Sequence, residues 1–179
     1  VPGAPGSAGI QAATGQQVCE IAVDADFEFY SQNASSVTNT VRDVENVLNA
    51  VEGIYETDVG ITYEVTTIIV RTSSTANPYT SSDPGTLLNQ FDSHWQSTKD
   101  DVQRDVAHLF TGRNMSAASG GVIGIAWLSG ICNNNSYGVS QSKFSGSFSF
   151  RVGLTAHELG PNWSSQHCSG GDCLIMGPG

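Results

Sequence analysis

The stretch from Thr155 to Cys168 gathers the side chains with the most evident chemistry. It reads TAHELGPNWSSQHC and contains His157, Glu158 and His167. Neutral imidazole is a common zinc ligand, and a carboxylate beside a metal-bound water can act as the general base for that water. These residue types therefore predict a metal site in which His157 and His167 bind the ion and Glu158 takes up a proton.

The spacing of these residues matches a zinc-peptidase pattern except at two positions. In HExxHxxGxxH, two histidines four residues apart share one helical face, and a glycine ends the helix so that a third histidine can reach the metal. Pro161 stands in place of the second histidine, and Ser164 stands in place of the glycine. The segment CLIM, which ends at Met176, is similar to the methionine turn that follows this pattern. The chain thus resembles the metzincin zinc metallopeptidases.

Motifs upstream are similar to the adamalysin, or reprolysin-like, branch of the metzincins. Residues 106–112 read VAHLFTG, and they are followed by GIAW at 124–127 and by Cys132. In that branch, a buried strand and a cleft-edge strand precede a cysteine and then the zinc helix. The resemblance extends from Cys19 to Met176 and is strongest in the last third of the chain.

The resemblance implies a fold and a reaction. The fold is α/β, metzincin-like, with a twisted, mostly parallel sheet, packed helices, an active-site helix and a small irregular C-terminal subdomain that holds the Met-turn with Met176. An extended polypeptide substrate is expected to pair with the edge strand. Zinc is expected to polarise the scissile carbonyl while Glu158 takes the proton from the attacking water. The substrate-binding residues implied in this way are Gly124, Ile125, Ala126 and Trp127.

Pro161 is expected to weaken the site in two ways. It supplies no imidazole, and it lacks the N–H that would bond to the His157 carbonyl, which its ring also crowds. Inside a helix this costs about 3 kcal/mol, although Gly160 can relieve it by taking the extended backbone preferred before proline. A catalytic zinc usually has three protein ligands, so we expect zinc binding to be weakened or lost. Asp172 and, less favourably, Asn162 are the candidate replacement ligands.

Three interpretations of Pro161 are open at this level. The domain can be a zinc-dependent metalloendopeptidase impaired at one position, or a pseudopeptidase that keeps the cleft as a peptide- or protein-binding module. It can also bind metal in a non-standard way. The otherwise complete motif, including Glu158, favours the first interpretation.

Periodicity places the elements that must position these residues. Strands are predicted over 19–30, 59–70, 106–110 and 122–131, the last at a sheet edge. Helices are predicted from a cap at Ser35 or Ser36 to Tyr55, over 87–95 and over 148–160, with Phe150, Leu154 and Leu159 on the inner side of the last one. Residues 72–84 are predicted to be loop, residues 1–17 a flexible leader, and residues 18–179 one peptidase-like domain that lacks the closing C-terminal helix of the family.

Charge and composition exclude other classes. Seven basic against seventeen acidic residues give a net charge of −10, which argues against nucleic acid and anionic lipid as partners. No apolar run approaches the roughly 18–20 residues of a membrane span. Four cysteines suggest disulfides and a secreted or extracellular protein, with Cys168–Cys173 and Cys19–Cys132 favoured among the three pairings. We expect a monomer.

Other polar residues have simpler interpretations. His108 lies in an apolar segment and is predicted to be a core residue, and His94 is predicted to be at the surface. Asp24, Asp26 and Glu28 alternate along the first predicted strand. They are expected to form a solvated face, with a Ca²⁺ site as the alternative.

Overall fold

A computed structural model describes residues 17–131, 134–168 and 176–177. Its strands are β1 (Gln17–Ala25), β2 (Ile61–Val70), β3 (Val106–Phe110), β4 (Gly124–Ala126) and β5 (Tyr137–Ser140). Its α-helices are α1 (Phe27–Gln32), α2 (Val37–Val59), α3 (Pro84–Thr98), α4 (Met115–Ser119) and α5 (Phe148–Leu159). Two 3₁₀ turns, Ser142–Phe144 and Pro161–Trp163, flank α5.

The strands form one sheet in the order β2-β1-β3-β5-β4. All neighbouring strands are parallel except β4, which runs antiparallel to β5 at the edge of the sheet. The expected α/β fold with a mostly parallel sheet is therefore confirmed. Because β4 is an edge strand, its second side is not paired within the sheet.

Helices cover both faces of the sheet, as a parallel sheet requires. Successive side chains of β1 point to opposite faces: Ile21, Val23 and Ala25 join the core beneath α2 and α5, whereas Ala22 joins the core beneath α3. The second core is aromatic and contains Phe91. Each core combines residues from distant parts of the chain. Because α5 packs on the same sheet that contains β4, its position relative to β4 is fixed.

Helix α2 follows the predicted stripe. Ser36 is its N-cap and accepts a hydrogen bond from Asn39 N at 3.3 Å, and Gly60 ends it in the left-handed conformation with φ 71°. The stripe is buried over Val44, Leu48, Val51 and Tyr55. This confirms the predicted helix, although Val37 at its start is 48% exposed.

The first predicted strand is too long. It ends at Ala25 because Asp26 caps α1, accepting a hydrogen bond from Phe29 N at 2.7 Å. Asp24 and Asp26 are fully buried, so the expected solvated face is wrong. Glu28 lies in α1, and the alternation that suggested Ca²⁺ is absent; Ca²⁺ binding itself remains untested.

Two buried acceptor networks explain the burial of these aspartates. Asp24 pairs with Arg71 at 2.5 Å and accepts from Tyr79 Oη at 2.6 Å and Trp95 Nε1 at 3.0 Å. Asp26 accepts from Gly112 N at 3.0 Å as well as from Phe29 N. Buried charge is tolerated where it is paired and hydrogen-bonded, so these side chains hold the fold together.

The region after β3 departs further from the prediction. Of the strand predicted over 122–131, only residues 124–126 form β4, and Ser129 beyond them turns the chain with a positive φ of 59°. Strand β5 and helix α4 were not predicted. Strand β5 reads YGVS and α4 reads MSAAS, and both are too short to show a period.

The two expected disulfides and the expected leader have different outcomes in the structure. Cys19 is a buried thiol and not half of a disulfide, so the Cys19–Cys132 pairing is wrong. Cys173 lies outside the described residues, and the Cys168–Cys173 pairing stays a prediction. The leader at 1–17 also lies outside them except for Gln17, which begins β1.

No helix in the described part of the chain is long and apolar enough to cross a membrane.

Candidate active site

Helix α5 carries His157 and Glu158 in its last turn, against the core on one side and a cleft on the other. The predicted helix over 148–160 is confirmed, and Leu159 is fully buried. Phe150 was expected on the inner side, but it is 64% exposed and lines the cleft. The α5 sequence is apolar on nearly all sides, so its period alone does not say which apolar residues face the cleft.

Pro161 ends α5 without displacing the backbone. Gly160 is helical, with φ −55° and ψ −49°, so the expected extended conformation before the proline is wrong. Gly160 N donates to both Ala156 O at 3.2 Å and His157 O at 3.1 Å. The His157 carbonyl therefore keeps a donor although Pro161 has no N–H, and Pro161 starts a 3₁₀ turn, where proline is tolerated.

Ser164 turns the chain back toward the helix. It adopts the left-handed conformation, with φ 69° and ψ 12°, which the glycine of the motif adopts at less cost. After this turn, His167 Nε2 lies 2.8 Å from His157 Nε2. The structure thus brings together the two imidazoles that the sequence predicted as ligands, and one ring nitrogen donates to the other.

Met176 lies under the end of α5. A Cβ added to Gly160 would lie 2.6 Å from Met176 Sδ, so the thioether occupies the space that a side chain at this position would need. Cys168 N donates to Met176 O at 3.3 Å. These contacts tie the segment after His167 to the helix, while residues 169–175 between them lie outside the described residues.

Glu158 is buried at the inner wall of the cleft. Its side chain lies against Gly124 of β4, and burial raises its pKa to about 8. A carboxyl with this pKa keeps its proton at neutral pH. The residue predicted as the base is thus at the cleft, in the protonated form.

The cleft runs between α5 and β4 and has a volume of about 890 Å³. Gly124, Ile125 and Ala126 line it from the strand, and His157, Glu158, Pro161 and His167 line it from the helix and the segment after it. Trp127 was expected to bind substrate with this strand. It follows β4 and packs toward α3, where its Nε1 donates to Asp92 Oδ2 at 3.2 Å, and its role in substrate binding stays a prediction.

Asn162 fastens the end of α5 to the segment after β4. Its side chain is 1% exposed and Nδ2 donates to Trp127 O at 2.8 Å and to Tyr137 O at 3.3 Å. These bonds direct the carboxamide into the interior, which argues against Asn162 as a replacement metal ligand. Asp172, the other candidate, lies outside the described residues.

The donor set does not fit a catalytic zinc site. Such a site uses three protein ligands, and two ligands of a tetrahedral zinc lie about 3.3 Å apart. The chain offers two imidazoles 2.8 Å apart, with Pro161 at the third position. Within the described residues, no group of three or more histidine, cysteine or acidic side chains is placed to hold a metal ion.

The remaining histidines behave as structural residues. His108 is fully buried in β3, as predicted, and its Nε2 lies 2.9 Å from Ser140 Oγ. Burial lowers the pKa of His108 to about 3. His94 is half-buried and lies 3.2 Å from Arg71 Nη2, so its predicted surface position is only partly correct.

Sequence reasoning missed two groups of residues that shape the site. Phe144, Phe150 and Val122 line the cleft, and their exposure cannot be read from the apolar pattern. Tyr55 of α2 donates from Oη to Ala156 O at 2.9 Å, directly before His157. No local signal identifies this contact, because its partners are 101 residues apart.

Comparisons with known proteins agree with this geometry. The family model described as metallo-peptidase family M12B, reprolysin-like, matches residues 41–168, which is more than half of the chain. A solved structure titled "Structure of a chaperone-substrate complex" has a TM-score of 0.68 and 12% sequence identity, over 88% of this chain and 25% of that chain. This chain spans a quarter of that protein, and the likeness shows the fold alone.

Proposed function

Because the chain belongs to the reprolysin-like metallopeptidases of family M12B, we propose that it is a metalloendopeptidase domain whose turnover Pro161 impairs. The observation that carries the proposal is the cleft itself. It holds an edge strand, a buried glutamate and two convergent imidazoles on one side of α5. The missing component is a single ligand, and it is missing at position 161.

Polypeptide binding is supported by the edge strand. Strand β4 uses one side to pair with β5, and its other side is the edge of the sheet that borders the cleft. An extended peptide adds to such an edge through backbone hydrogen bonds, with its side chains alternately facing the cleft. We assign this pairing to Gly124, Ile125 and Ala126. Trp127 packs on the side of the strand that faces α3.

The roles of the other residues follow from their positions. Zinc, in the family, activates water and polarises the scissile carbonyl, and His157 and His167 are the two imidazoles this chain offers to it. Glu158 lies at the cleft wall, where its ionised form, favoured by the charge of a bound cation, would accept a proton. We assign Met176 to a Met-turn because it follows His167 in the chain and its thioether packs against Gly160 at the end of α5. Secretion and a monomeric state complete the proposal.

The backbone at position 161 indicates that the missing zinc ligand can be restored there by substitution. Since Gly160 is helical, a side chain at 161 stands one helical turn beyond His157 on the same face. Pro161 already lines the cleft with His157 and His167. A histidine at 161 would therefore join them without a change in the path of the chain.

We predict that Pro161→His gains zinc binding and proteolytic activity. The purified chain and the variant are compared for zinc content by metal analysis and for cleavage of a fluorescently labelled casein with and without a chelator. The variant should hold about one zinc per chain and cleave in a chelator-sensitive manner, at least 100-fold faster than the chain itself. Pro161→Ala is the matched control, since it removes the proline but adds no ligand.

Each outcome separates the interpretations. If neither the chain nor Pro161→His binds zinc, the assignment of His157 and His167 as ligands is wrong. If the chain itself binds zinc and cleaves casein as fast as the histidine variant, another residue supplies the third ligand and Pro161 does not impair it. Activity in Pro161→Ala would show that the proline ring, and not the missing imidazole, was the obstacle.

A second candidate function is favoured by Pro161 alone. With two imidazoles the domain can act as a pseudopeptidase that binds a polypeptide in the cleft without cleaving it. Binding of unlabelled casein by the chain, measured by calorimetry and abolished by Ala126→Pro, whose N–H points away from β5, would support this role if the same sample shows no turnover. Proline removes a backbone donor from the edge strand.

A further inference from the structure

Gly124 lies directly against the side chain of Glu158. A Cβ built on Gly124 would lie 2.5 Å from Glu158 Cδ and 2.6 Å from Cγ. Carbon atoms that are not bonded are in contact at about 3.5–4.0 Å. The space above the Gly124 Cα is therefore filled by the glutamate, and any larger residue there would have to displace it or the strand.

The strand has little freedom to move away. Gly124, Ile125 and Ala126 pair with Ser140, Val139 and Gly138 of β5. Hydrogen bonds continue on both sides of this ladder, from Gln141 N to Ile123 O at 2.8 Å and from Trp127 N to Tyr137 O at 3.1 Å. A shift of β4 would break these bonds together.

The segment after α5 fixes the strand to the helix. Ser129 N donates to Pro161 O at 2.8 Å, and Ile131 N donates to Asn162 O at 3.0 Å. The Asn162 side chain adds the bond to Trp127 O. These contacts hold the end of β4 at a set distance from the end of α5, so the Glu158 side chain lies in a space of fixed width.

The helix is equally restrained. Ala156 and Leu159 are fully buried on either side of Glu158, and Tyr55 bonds to the Ala156 carbonyl. A Cβ added to Gly138 would lie 3.3 Å from Glu158 O, so β5 also approaches α5 closely. The part free to move is the end of the Glu158 side chain.

We propose that Gly124 is a positioning residue for Glu158: the absence of a side chain at this strand position provides the space that holds the carboxyl group between α5 and β4. The proposal rests on the proposed function for the role of Glu158 in turnover, but its geometry stands without that function. A side chain at position 124 displaces the carboxyl group into the cleft while the fold remains.

The first experiment measures where the carboxyl group lies. The chain and Gly124→Ala are treated with a water-soluble carbodiimide and glycinamide, and modification of each acidic residue is followed by mass spectrometry. Glu158 is 6% exposed in the chain, and its modification rate should rise at least tenfold in Gly124→Ala. Asp24 and Asp26 should stay protected in both proteins, because they are buried elsewhere in the fold.

A matched variant controls for the substitution itself. Gly53 lies in α2, and a Cβ added there meets nothing within 4 Å, so Gly53→Ala should leave the modification rate of Glu158 unchanged. An unchanged rate in Gly124→Ala overturns the proposal. A rise at Glu158 together with Asp24 and Asp26 would mean unfolding, and it would overturn the proposal as well.

The second experiment tests the contact by a double-mutant cycle. Alanine is favoured over glycine in a strand, so Gly124→Ala should increase the folding equilibrium constant about two- to fivefold once the glutamate is removed by Glu158→Ala. With Glu158 present, the same substitution should decrease it, and the coupling between the two sites should be about tenfold. Equal effects of Gly124→Ala in both backgrounds would contradict the proposal.

Both experiments use the chain as it is and need no activity, so failure of the proposed function leaves their readouts intact. In a Pro161→His protein that cleaves casein, Gly124→Ala should lower kcat at least tenfold with KM within about threefold, because positioning of the base affects the chemical step. If Pro161→His is inactive while Glu158 still couples to Gly124, only the proposed function is wrong. A fall in casein affinity with unchanged kcat would overturn the positioning role.

Discussion

At the scale of single residues, position 161 lacks the metal ligand of the motif but keeps the backbone conformation that the motif requires. Gly160 is helical and Gly160 N supplies the His157 carbonyl with a donor, so the backbone conforms to the motif even though Pro161 does not. Ser164 shows the reverse case. It adopts the left-handed backbone of the motif's glycine while carrying a Cβ that this conformation disfavours.

We predict that Ser164→Gly stabilises the chain by about 0.5–1 kcal/mol. Glycine removes the steric cost of the left-handed conformation, and this gain exceeds what it loses to greater freedom in the unfolded chain and to the exposed bond with Ser129 Oγ. Thermal unfolding should shift upward by about 1–4 °C. Ser164→Ala is the control: it keeps the Cβ and loses the 3.0 Å bond to Ser129 Oγ, so it should not stabilise. A lower midpoint for Ser164→Gly would contradict the steric argument.

At the scale of elements, α5 is held by helix α2 as well as by the sheet. The two helices share one core, and Tyr55 Oη donates to the carbonyl of the residue before His157. This bond is buried, and burial raises the pKa of Tyr55. The tyrosine therefore remains a donor at neutral pH, and its bond to the Ala156 carbonyl restrains the last turn of α5 from the side of α2.

We expect Tyr55→Phe to lower the free energy of unfolding by about 1–2 kcal/mol, since it leaves the Ala156 carbonyl without this donor. Urea denaturation measures the change. Tyr30→Phe, at a half-buried tyrosine of α1, removes a hydroxyl elsewhere and should change stability by less than about 0.5 kcal/mol. Equal effects of the two substitutions would show that the bond to α5 contributes nothing specific.

At the scale of the whole molecule, the cleft forms where the edge strand of the sheet meets the last turn of a helix. Two separate cores hold this arrangement, one beneath α2 and α5 and one beneath α3. His108 is an ionisable group buried in β3, and the neutral imidazole is its stable form. Desolvation by burial lowers its pKa from 6.5 to about 3.

We predict that His108 makes the fold less stable as pH falls. The unfolded chain takes up a proton at this histidine below about pH 6.5, and the folded chain does so only near pH 3. Its contribution is therefore fully present above pH 6.5 and is lost progressively as pH falls toward 3, by at most about 1.4 kcal/mol per pH unit.

Urea denaturation of the chain and of His108→Gln between pH 4 and 7 measures this slope. The slope of stability against pH should correspond to up to one fewer proton bound on unfolding in the variant. The stability of the variant at pH 7 should be lower because glutamine packs imperfectly in the place of the imidazole. His94→Gln is the control. His94 is half-buried whereas His108 is fully buried, so the slope should change less. An identical slope in the chain and in His108→Gln would rule out this histidine as the source.

Much of this protein followed from local pattern. The periodicities of 37–55, 61–70, 106–110 and 148–159 identified the elements because each is long or apolar enough to show its period. The spacing of His157, Glu158 and His167 identified the candidate site, because residues on one helix and the turn after it are positioned by local geometry. The absence of a ligand at Pro161 was equally evident from the sequence.

Tertiary structure decided what depends on contacts between distant segments. The burial of Asp24 and Asp26, the exposure of Phe150 and the thiol of Cys19 are set by partners elsewhere in the chain, and no local period encodes them. The same holds for the site. Sequence placed Glu158 beside His157, but only the packing of α5 against β4 puts its carboxyl group in the space left by Gly124.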